Sequence, residues 1–120
     1  MNLTIEQKIN KLDYQLRDIS NEQYRNQLAI QKQKQTEKEF DWIKMQKNRL
    51  FEYILGTWQH DRELGSRLID MQENTKQLER KLTYELEEQC NMLQKEKQSL
   101  IDQENDIYNK RYTLLKEVES

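Results

Sequence analysis

The sequence predicts an all-α protein, a long antiparallel two-helix hairpin of coiled-coil character. The 120-residue chain has no proline and only two glycines, so little in it interrupts a helix. Apolar residues near the N-terminus recur at alternating spacings of four and three, which is typical of a helix that buries a narrow stripe against a second helix. Both glycines lie near the midpoint, where a hairpin would turn.

The composition limits the class of protein. One hundred and twenty residues correspond to one domain, and we assign residues 1–120 to a single helical-hairpin domain. Twenty basic and 22 acidic residues give a net charge of -2, without the basic field that a nucleic-acid partner requires. No apolar run approaches the roughly 20 residues that span a bilayer, and residues 1–8 lack signal-peptide features. We expect a cytoplasmic protein with no membrane span, and co-export with its partner stays open.

The first arm begins with a helix-start signal. Thr4 and Gln7 match a capping box, with Thr4 as N-cap. The apolar stripe that follows consists of Ile5, Ile9, Leu12, Leu16 and Ile19. Such a stripe cannot be buried by one helix, so a second helix must cover it.

The stripe then weakens, with Gln23 and Asn26 on its next positions. Residues 31–39 contain no apolar side chain, yet their helix propensity favours a solvated helix over a hinge. We expect Lys32, Lys34 and Lys38 of this stretch to face the acidic residues 79–88 of the second arm, as weak exposed ion pairs.

The bend is predicted between the arms, with helix 1 over about 4–55, the bend over about 56–61 and helix 2 over about 62–118. Gly56 has the character of a left-handed residue that closes helix 1, and Thr57 or Asp61 can cap helix 2. A bend at Gly65–Ser66 is the alternative. Before the bend, the apolar stripe resumes as Phe40, Ile43, Leu50 and Ile54, with Lys47 at the missing position.

The second arm carries a stripe of its own, with a one-residue change of phase near Leu86 in the manner of a stutter. Before that point the predicted stripe is Leu64, Leu68, Met71, Thr75, Leu78 and Leu82. After it, the stripe is Leu93, Leu100, Ile107 and Leu114, with Cys90, Lys97, Glu104, Arg111 and Val118 at alternate positions. The charged members cost stability but favour one register and one partner.

Aromatic residues concentrate around the bend, and we predict five apolar side chains there as partner-binding residues. They are Phe40, Trp42, Phe51, Tyr53 and Trp58. One interpretation makes them the core of the bend. The other makes them an interface hot spot, because buried Trp and Tyr anchor many protein complexes.

No constellation of catalytic residues is recognisable. Cys90 is the only cysteine, so an internal disulfide and a cysteine zinc site are excluded. His60 is the only histidine, so a histidine-rich metal site or a serine–histidine dyad has at most one candidate. There is no glycine-rich phosphate loop and no metal-ligand spacing. We expect a non-enzymatic protein with no catalytic residues, no cofactor and no metal.

Residues 86–97 and 104–111, LEEQCNMLQKEK and ENDIYNKR, together with Phe51 and Trp58 near the turn, resemble a known family. Its members are small helical accessory proteins of Gram-positive bacteria, encoded beside LXG toxins of the type VII secretion system, akin to WXG/ESAT-6-like hairpins. The resemblance spans about residues 40–118. It implies an adaptor that binds the toxin's helical N-terminal domain. The Trp-x-Gly of WXG hairpins is absent, since this chain has Gly56-Thr57-Trp58.

The leading hypothesis is therefore a non-enzymatic targeting chaperone that pairs its hairpin with the N-terminal helices of an LXG toxin. Two narrow stripes give little burial against the conformational entropy of folding, so we expect a four-helix bundle completed by a partner. That partner is the toxin domain, a second small hairpin protein or a second copy. The alternative functions are a self-assembling coiled-coil scaffold and a flagellar or prefoldin-like export chaperone. The alternative structure is an extended parallel dimer with no bend.

Overall fold

A computed structural model describes residues 4–119, which form two helices: α1, Ile5–Thr57, and α2, Arg62–Glu119. Residues 58–61 connect them. Asp13 pairs with Arg111, and Lys47 pairs with Glu79, so the helices run antiparallel. The predicted all-α helical hairpin is confirmed, and the chain does not adopt the unbent alternative.

Side chains cap the N-terminus of each helix. The Thr4 amide donates to Gln7 Oε1 at 3.1 Å and the Gln7 amide donates to Thr4 Oγ1 at 3.2 Å, so the predicted capping box is confirmed. At the start of α2, the Leu64 amide donates to Asp61 Oδ1 at 3.0 Å. Of the two predicted caps for α2, Asp61 therefore acts, because its carboxylate accepts from an amide that has no partner within the helix.

The glycines do not make the turn. The prediction that Gly56 ends α1 in a left-handed conformation is wrong, because α1 continues to Thr57 and no described glycine has a positive φ. The Trp58 amide donates to the Ile54 carbonyl at 2.9 Å and completes the last turn. The alternative bend at Gly65 is also wrong, since its amide donates to the Asp61 carbonyl at 2.8 Å in the first turn of α2.

The contacts divide into two compact units. In the terminal unit, α1 up to Gln31 lies against α2 from Asn91; the bend unit is Lys32–Cys90. The assignment of the chain to one domain stays a prediction. The terminal unit holds an apolar core of Leu12, Ile19, Leu100 and Ile107, with Leu16 and Leu114 packed beside it.

The interhelical seam of α1 follows one uninterrupted heptad repeat, written abcdefg with Ile5 at position d. Every a and d position from Ile5 to Ile54 is buried or half-buried. The seam predicted from the first five apolar residues is confirmed, and residues 31–39 are helical as predicted. Because the repeat never changes phase, the polar residues of this stretch fill seam positions too.

Two of those polar seam residues bind the backbone of α2. Asn26, 3% exposed, donates from Nδ2 to the Leu93 carbonyl at 3.0 Å. Seven residues later, Gln33 donates from Nε2 to the Leu86 carbonyl at 3.0 Å. The two acceptors are also seven residues apart, so equivalent positions of the two repeats meet, which is how polar seam residues specify register.

The predicted seam of α1 near the bend is wrong at two positions. Ile43 and Leu50 are 57% and 58% exposed, while Lys44 and Phe51 are half-buried in their place. The repeat that begins at Ile5 requires positions 44 and 51, so an unbroken period outweighs the hydrophobicity of the neighbouring residues.

The same displacement occurs in α2, where Met71 and Leu78 are 55% and 56% exposed. Gln72 and Glu79 are half-buried instead. The change of phase lies between Glu79 and Leu86, with half-buried Thr83 between them. A spacing of four residues that occurs twice in succession is a stutter, so the predicted change of phase is confirmed. Before it, the predicted seam residues Leu68 and Thr75 are buried and half-buried, whereas Met71, Leu78 and Leu82 were wrongly assigned to the seam.

Several predicted charged contacts differ. None of Lys32, Lys34 and Lys38 has an ion pair to α2 within the described range, so this prediction is wrong. Lys32 and Lys38 occupy c and b positions, which face away from α2, and all three side chains are exposed. Lys47 instead pairs with Glu79 inside it.

Two alternate positions of the second seam are also exposed, Lys97 and Val118. The long lysine stem lets its ammonium group reach water. Val118 lies in the last turn of α2.

Candidate functional site

The five predicted partner-binding residues do not lie together. Phe40 and Phe51 are half-buried at seam positions, and Lys44 Nζ lies 4.7 Å from the centroid of the Phe40 ring. Trp42, Tyr53 and Trp58 are 62%, 71% and 53% exposed. Three of the five are therefore available to a partner, and their role in binding stays a prediction.

A more regular apolar surface lies beside the seam of the bend unit. Ile43 and Leu50 occupy successive g positions of α1, and Met71 and Leu78 occupy successive g positions of α2. All four are 55–58% exposed. We call these four residues the bend-unit edge.

The g positions of the two helices belong to the same side of the hairpin. In an antiparallel pair, the g positions of both helices lie on one side of the seam and the e positions of both lie on the other. The terminal unit shows this arrangement directly. There, Lys8 and Gln15 of α1 and Lys110 of α2, all at g positions, line one groove together with Leu12 and Leu114. By the same geometry, the four residues of the bend-unit edge form one apolar strip.

The seam beneath this strip is unusually polar. Lys44, Lys47, Gln72 and Glu79 all occupy seam positions in the bend unit. Leu68, 5% exposed, is the one apolar residue among Lys32–Cys90 that is buried, and the other apolar seam residues there are half-buried or exposed. The bend unit therefore holds half-buried polar side chains between its helices and exposes apolar ones beside them. Apolar residues at a, d and g are typical of helices in a larger bundle, whereas a strict a/d pattern suffices for two helices.

Charges border the bend-unit edge unevenly. On α2 the adjoining c positions are Arg67, Asn74 and Lys81, and on α1 they include Glu39. All four are exposed. Arg67 also pairs with Glu63 one turn away at 2.9 Å. The α2 border is therefore basic at two of its three positions, whereas the α1 border carries Glu39 beside the uncharged Gln46 and Tyr53.

Metal-ligating and nucleophilic side chains are dispersed along the described part of the chain. Within residues 4–119, no group of three or more His, Cys, Asp or Glu side chains is placed to hold a metal. His60 is exposed in the connection, and Cys90 is a free, half-buried thiol on the seam. No helix in the described range contains a stretch long and apolar enough to cross a bilayer.

Sequence reasoning missed the bend-unit edge because it assigned all four residues to the seam. The signal that would have found it is the repeat itself. Counting in sevens from Ile9 leads to Lys44 and Phe51, so Ile43 and Leu50 must lie outside the seam if the helix is continuous.

Comparison with known proteins identifies one matching family. A family model described as "Protein of unknown function (DUF3958)" matches residues 7–114. No curated protein and no solved structure matches the chain.

Proposed function

The chain belongs to the DUF3958 family, whose model covers residues 7–114, and from this premise and its exposed edge we propose a non-enzymatic helical adaptor. It binds by pairing its hairpin with helices of another protein. The partner we propose is the helical N-terminal domain of an LXG-type toxin of the type VII secretion system. The adaptor meets this domain in the cytoplasm and accompanies it to the export machinery.

One observation carries the proposal of helix pairing. The bend unit keeps lysine, glutamine and glutamate in its own seam and exposes Ile43, Leu50, Met71 and Leu78 outside it. Fully burying a side chain of this type contributes about 1.5–3 kcal/mol. Since slightly more than half of each is still exposed, a partner gains about 1 kcal/mol or more per residue by covering them.

The identity of the partner rests on the sequence resemblance of residues 86–97 and 104–111 to accessory proteins encoded beside LXG toxins. These segments lie on α2, and most of their seam residues are buried or half-buried. They therefore support the hairpin, whereas the exposed apolar surface of the bend unit is available to the toxin domain.

Co-expression tests this function. The full chain is produced with the N-terminal domain of an LXG toxin from the same genome, and the mixture is purified through a tag on the toxin domain. We expect a complex of defined mass that survives size-exclusion chromatography. An unrelated helical hairpin of similar length and charge serves as the control. The proposal fails if the chain elutes alone, or if the control hairpin is retained equally.

The mass of the chain alone separates this function from a coiled-coil scaffold. A scaffold forms a stable oligomer without any other protein, whereas the adaptor reaches its final assembly only with the toxin domain. Sedimentation equilibrium of the isolated chain and of the mixture distinguishes the two. An export chaperone of broad range would instead retain several unrelated clients in the same experiment.

A further inference from the structure

We infer that the bend-unit edge is the docking site for one amphipathic α-helix of a different polypeptide, which lies lengthwise between α1 and α2. This inference rests on the proposed adaptor function and specifies its contact surface. The helix covers Ile43 and Leu50 on one side and Met71 and Leu78 on the other.

The spacing of the edge selects a helix over other ligands. Each wall presents one exposed apolar residue every seven positions, which is two turns of an α-helix. A partner helix that repeats its own apolar residues every three or four positions meets both walls at each repeat. An extended peptide binds by hydrogen bonds to unpaired backbone groups of the protein. Both walls of the edge are α-helices, whose backbone groups are already bonded within each helix, so they offer none.

The charges beside the edge disfavour a second copy as the occupant. Two copies can face each other by their edges with a twofold axis either along the helices or across them. With the axis across the helices, Arg67 lies opposite Lys81 of the other copy, and like charges placed opposite each other destabilise a pairing. With the axis along the helices, the α2 border of one copy faces the α1 border of the other. Glu39 can match Lys81 there, but Arg67 meets no acidic residue at the c positions of α1.

A different polypeptide avoids this conflict and can match the borders. Because Arg67 and Lys81 line the α2 side, the complementary helix carries acidic residues next to its apolar stripe on that side. Next to Glu39 on the α1 side it carries a basic or neutral residue. The occupant is therefore a helix with an apolar stripe and an acidic flank.

Site-specific photo-crosslinking tests the occupant. The full chain carries p-benzoylphenylalanine at Leu50 or Leu78, or at the control positions Leu28 or Met92, which are exposed apolar residues of the terminal unit. Each version is expressed in the organism that encodes the chain, irradiated and purified. Mass spectrometry then identifies the crosslinked peptide.

We expect adducts from the edge positions at least about tenfold above the control positions, on a peptide that lies in an amphipathic helix with an acidic flank. A toxin N-terminal peptide supports both the inference and the proposed function. A helix of another protein supports the inference and overturns the toxin as partner. A second copy of the chain, a non-helical peptide, no adduct, or equal yields at edge and control overturn the inference.

A pair of double variants gives an independent measurement with the crosslinked protein as the binding probe. We expect Leu50→Glu with Leu78→Glu to weaken its binding by about 30-fold or more, and Leu28→Glu with Met92→Glu to change it by less than about threefold. Circular dichroism should show equal helicity for both. Equal loss of binding in the two double variants at equal helicity overturns the inference.

Discussion

Substitution of Asn26 tests whether a polar seam residue holds the two helices in register. Its side chain is 3% exposed and donates one hydrogen bond, Nδ2 to the Leu93 carbonyl at 3.0 Å. The Leu93 oxygen is an acceptor, so the side chain at position 26 must be a donor or be apolar. Three variants separate these requirements: Asn26→Ala, Asn26→Leu and Asn26→Asp.

The expected free energies follow from burial. Asn26→Ala loses a hydrogen bond worth about 0.5–1.5 kcal/mol and leaves a small cavity, so we expect a loss of about 2 kcal/mol. Asn26→Leu replaces the amide with an apolar group of similar shape, so we expect a change between zero and a gain of about 1 kcal/mol, with weaker selection of register. Asn26→Asp places an ionised carboxylate against a carbonyl oxygen and costs about 3–5 kcal/mol near neutral pH.

The aspartate variant also has a distinctive pH dependence. Burial without a donor raises the pKa of the introduced carboxyl group in the folded state above its unfolded value of about 3.9. Its protonated form fits the folded state, so its cost is smallest below about pH 4 and grows as the pH rises through and beyond that value. The wild-type chain at each pH serves as the reference.

Thermal and urea unfolding followed by circular dichroism measure these changes. One kcal/mol corresponds to about 4 °C for a chain of this size, so Asn26→Asp should melt about 12–20 °C lower at pH 7. The reasoning is refuted if Asn26→Asp is as stable as Asn26→Leu at pH 7, or if Asn26→Leu is as unstable as Asn26→Ala.

Three further predictions concern other contacts of the hairpin. Asp61→Ala should lower the free energy of unfolding by about 1 kcal/mol, measured by urea titration, because the cap of α2 is lost. Asp61→Asn keeps a capping oxygen and should retain most of the stability, so equal losses in the two variants would contradict the capping role. Leu100→Ala should cost about 2–5 kcal/mol because its side chain is 3% exposed, whereas Leu50→Ala, at a site 58% exposed, should change the stability of the isolated chain by less than about 1 kcal/mol. Lys47→Glu and Glu79→Lys should each lower the melting temperature, and the double exchange should restore most of it; additive losses would show that the pair is not coupled.

The hairpin was predictable because its main determinants are local and periodic. The stripe from Ile5 to Ile19 has a strict spacing, the capping box at Thr4 starts the helix, and nothing in residues 31–39 breaks it. Each of these signals acts within a few residues, so each can be read without knowledge of tertiary contacts.

The bend and the candidate site were harder to predict, for physical reasons. Gly56 matches a helix end, yet a glycine also fits inside a helix at a cost of about 1 kcal/mol, and Asp61 decides where α2 starts. Near the bend, two signals disagree about which face of α1 is inward. Hydrophobicity favours the face of Ile43 and Leu50, whereas the repeat that begins at Ile5 favours the face of Lys44 and Phe51. Which face lies inward depends on both helices at once, so one helix alone does not decide it.

Gly56 and Gly65 affect how readily the helix turns on either side of the bend open. A Cβ at either position would meet no atom within 4 Å, so neither glycine is required by packing, and each lowers local helix stability by about 1 kcal/mol relative to alanine. The turns on both sides of residues 58–61 therefore open more easily than their neighbours and exchange their amide protons sooner. Leu50 lies within two turns of Gly56, so a helix docked on the bend-unit edge should slow amide exchange in the last turns of α1. The double substitution Gly56→Ala with Gly65→Ala should slow this exchange in the isolated chain as well.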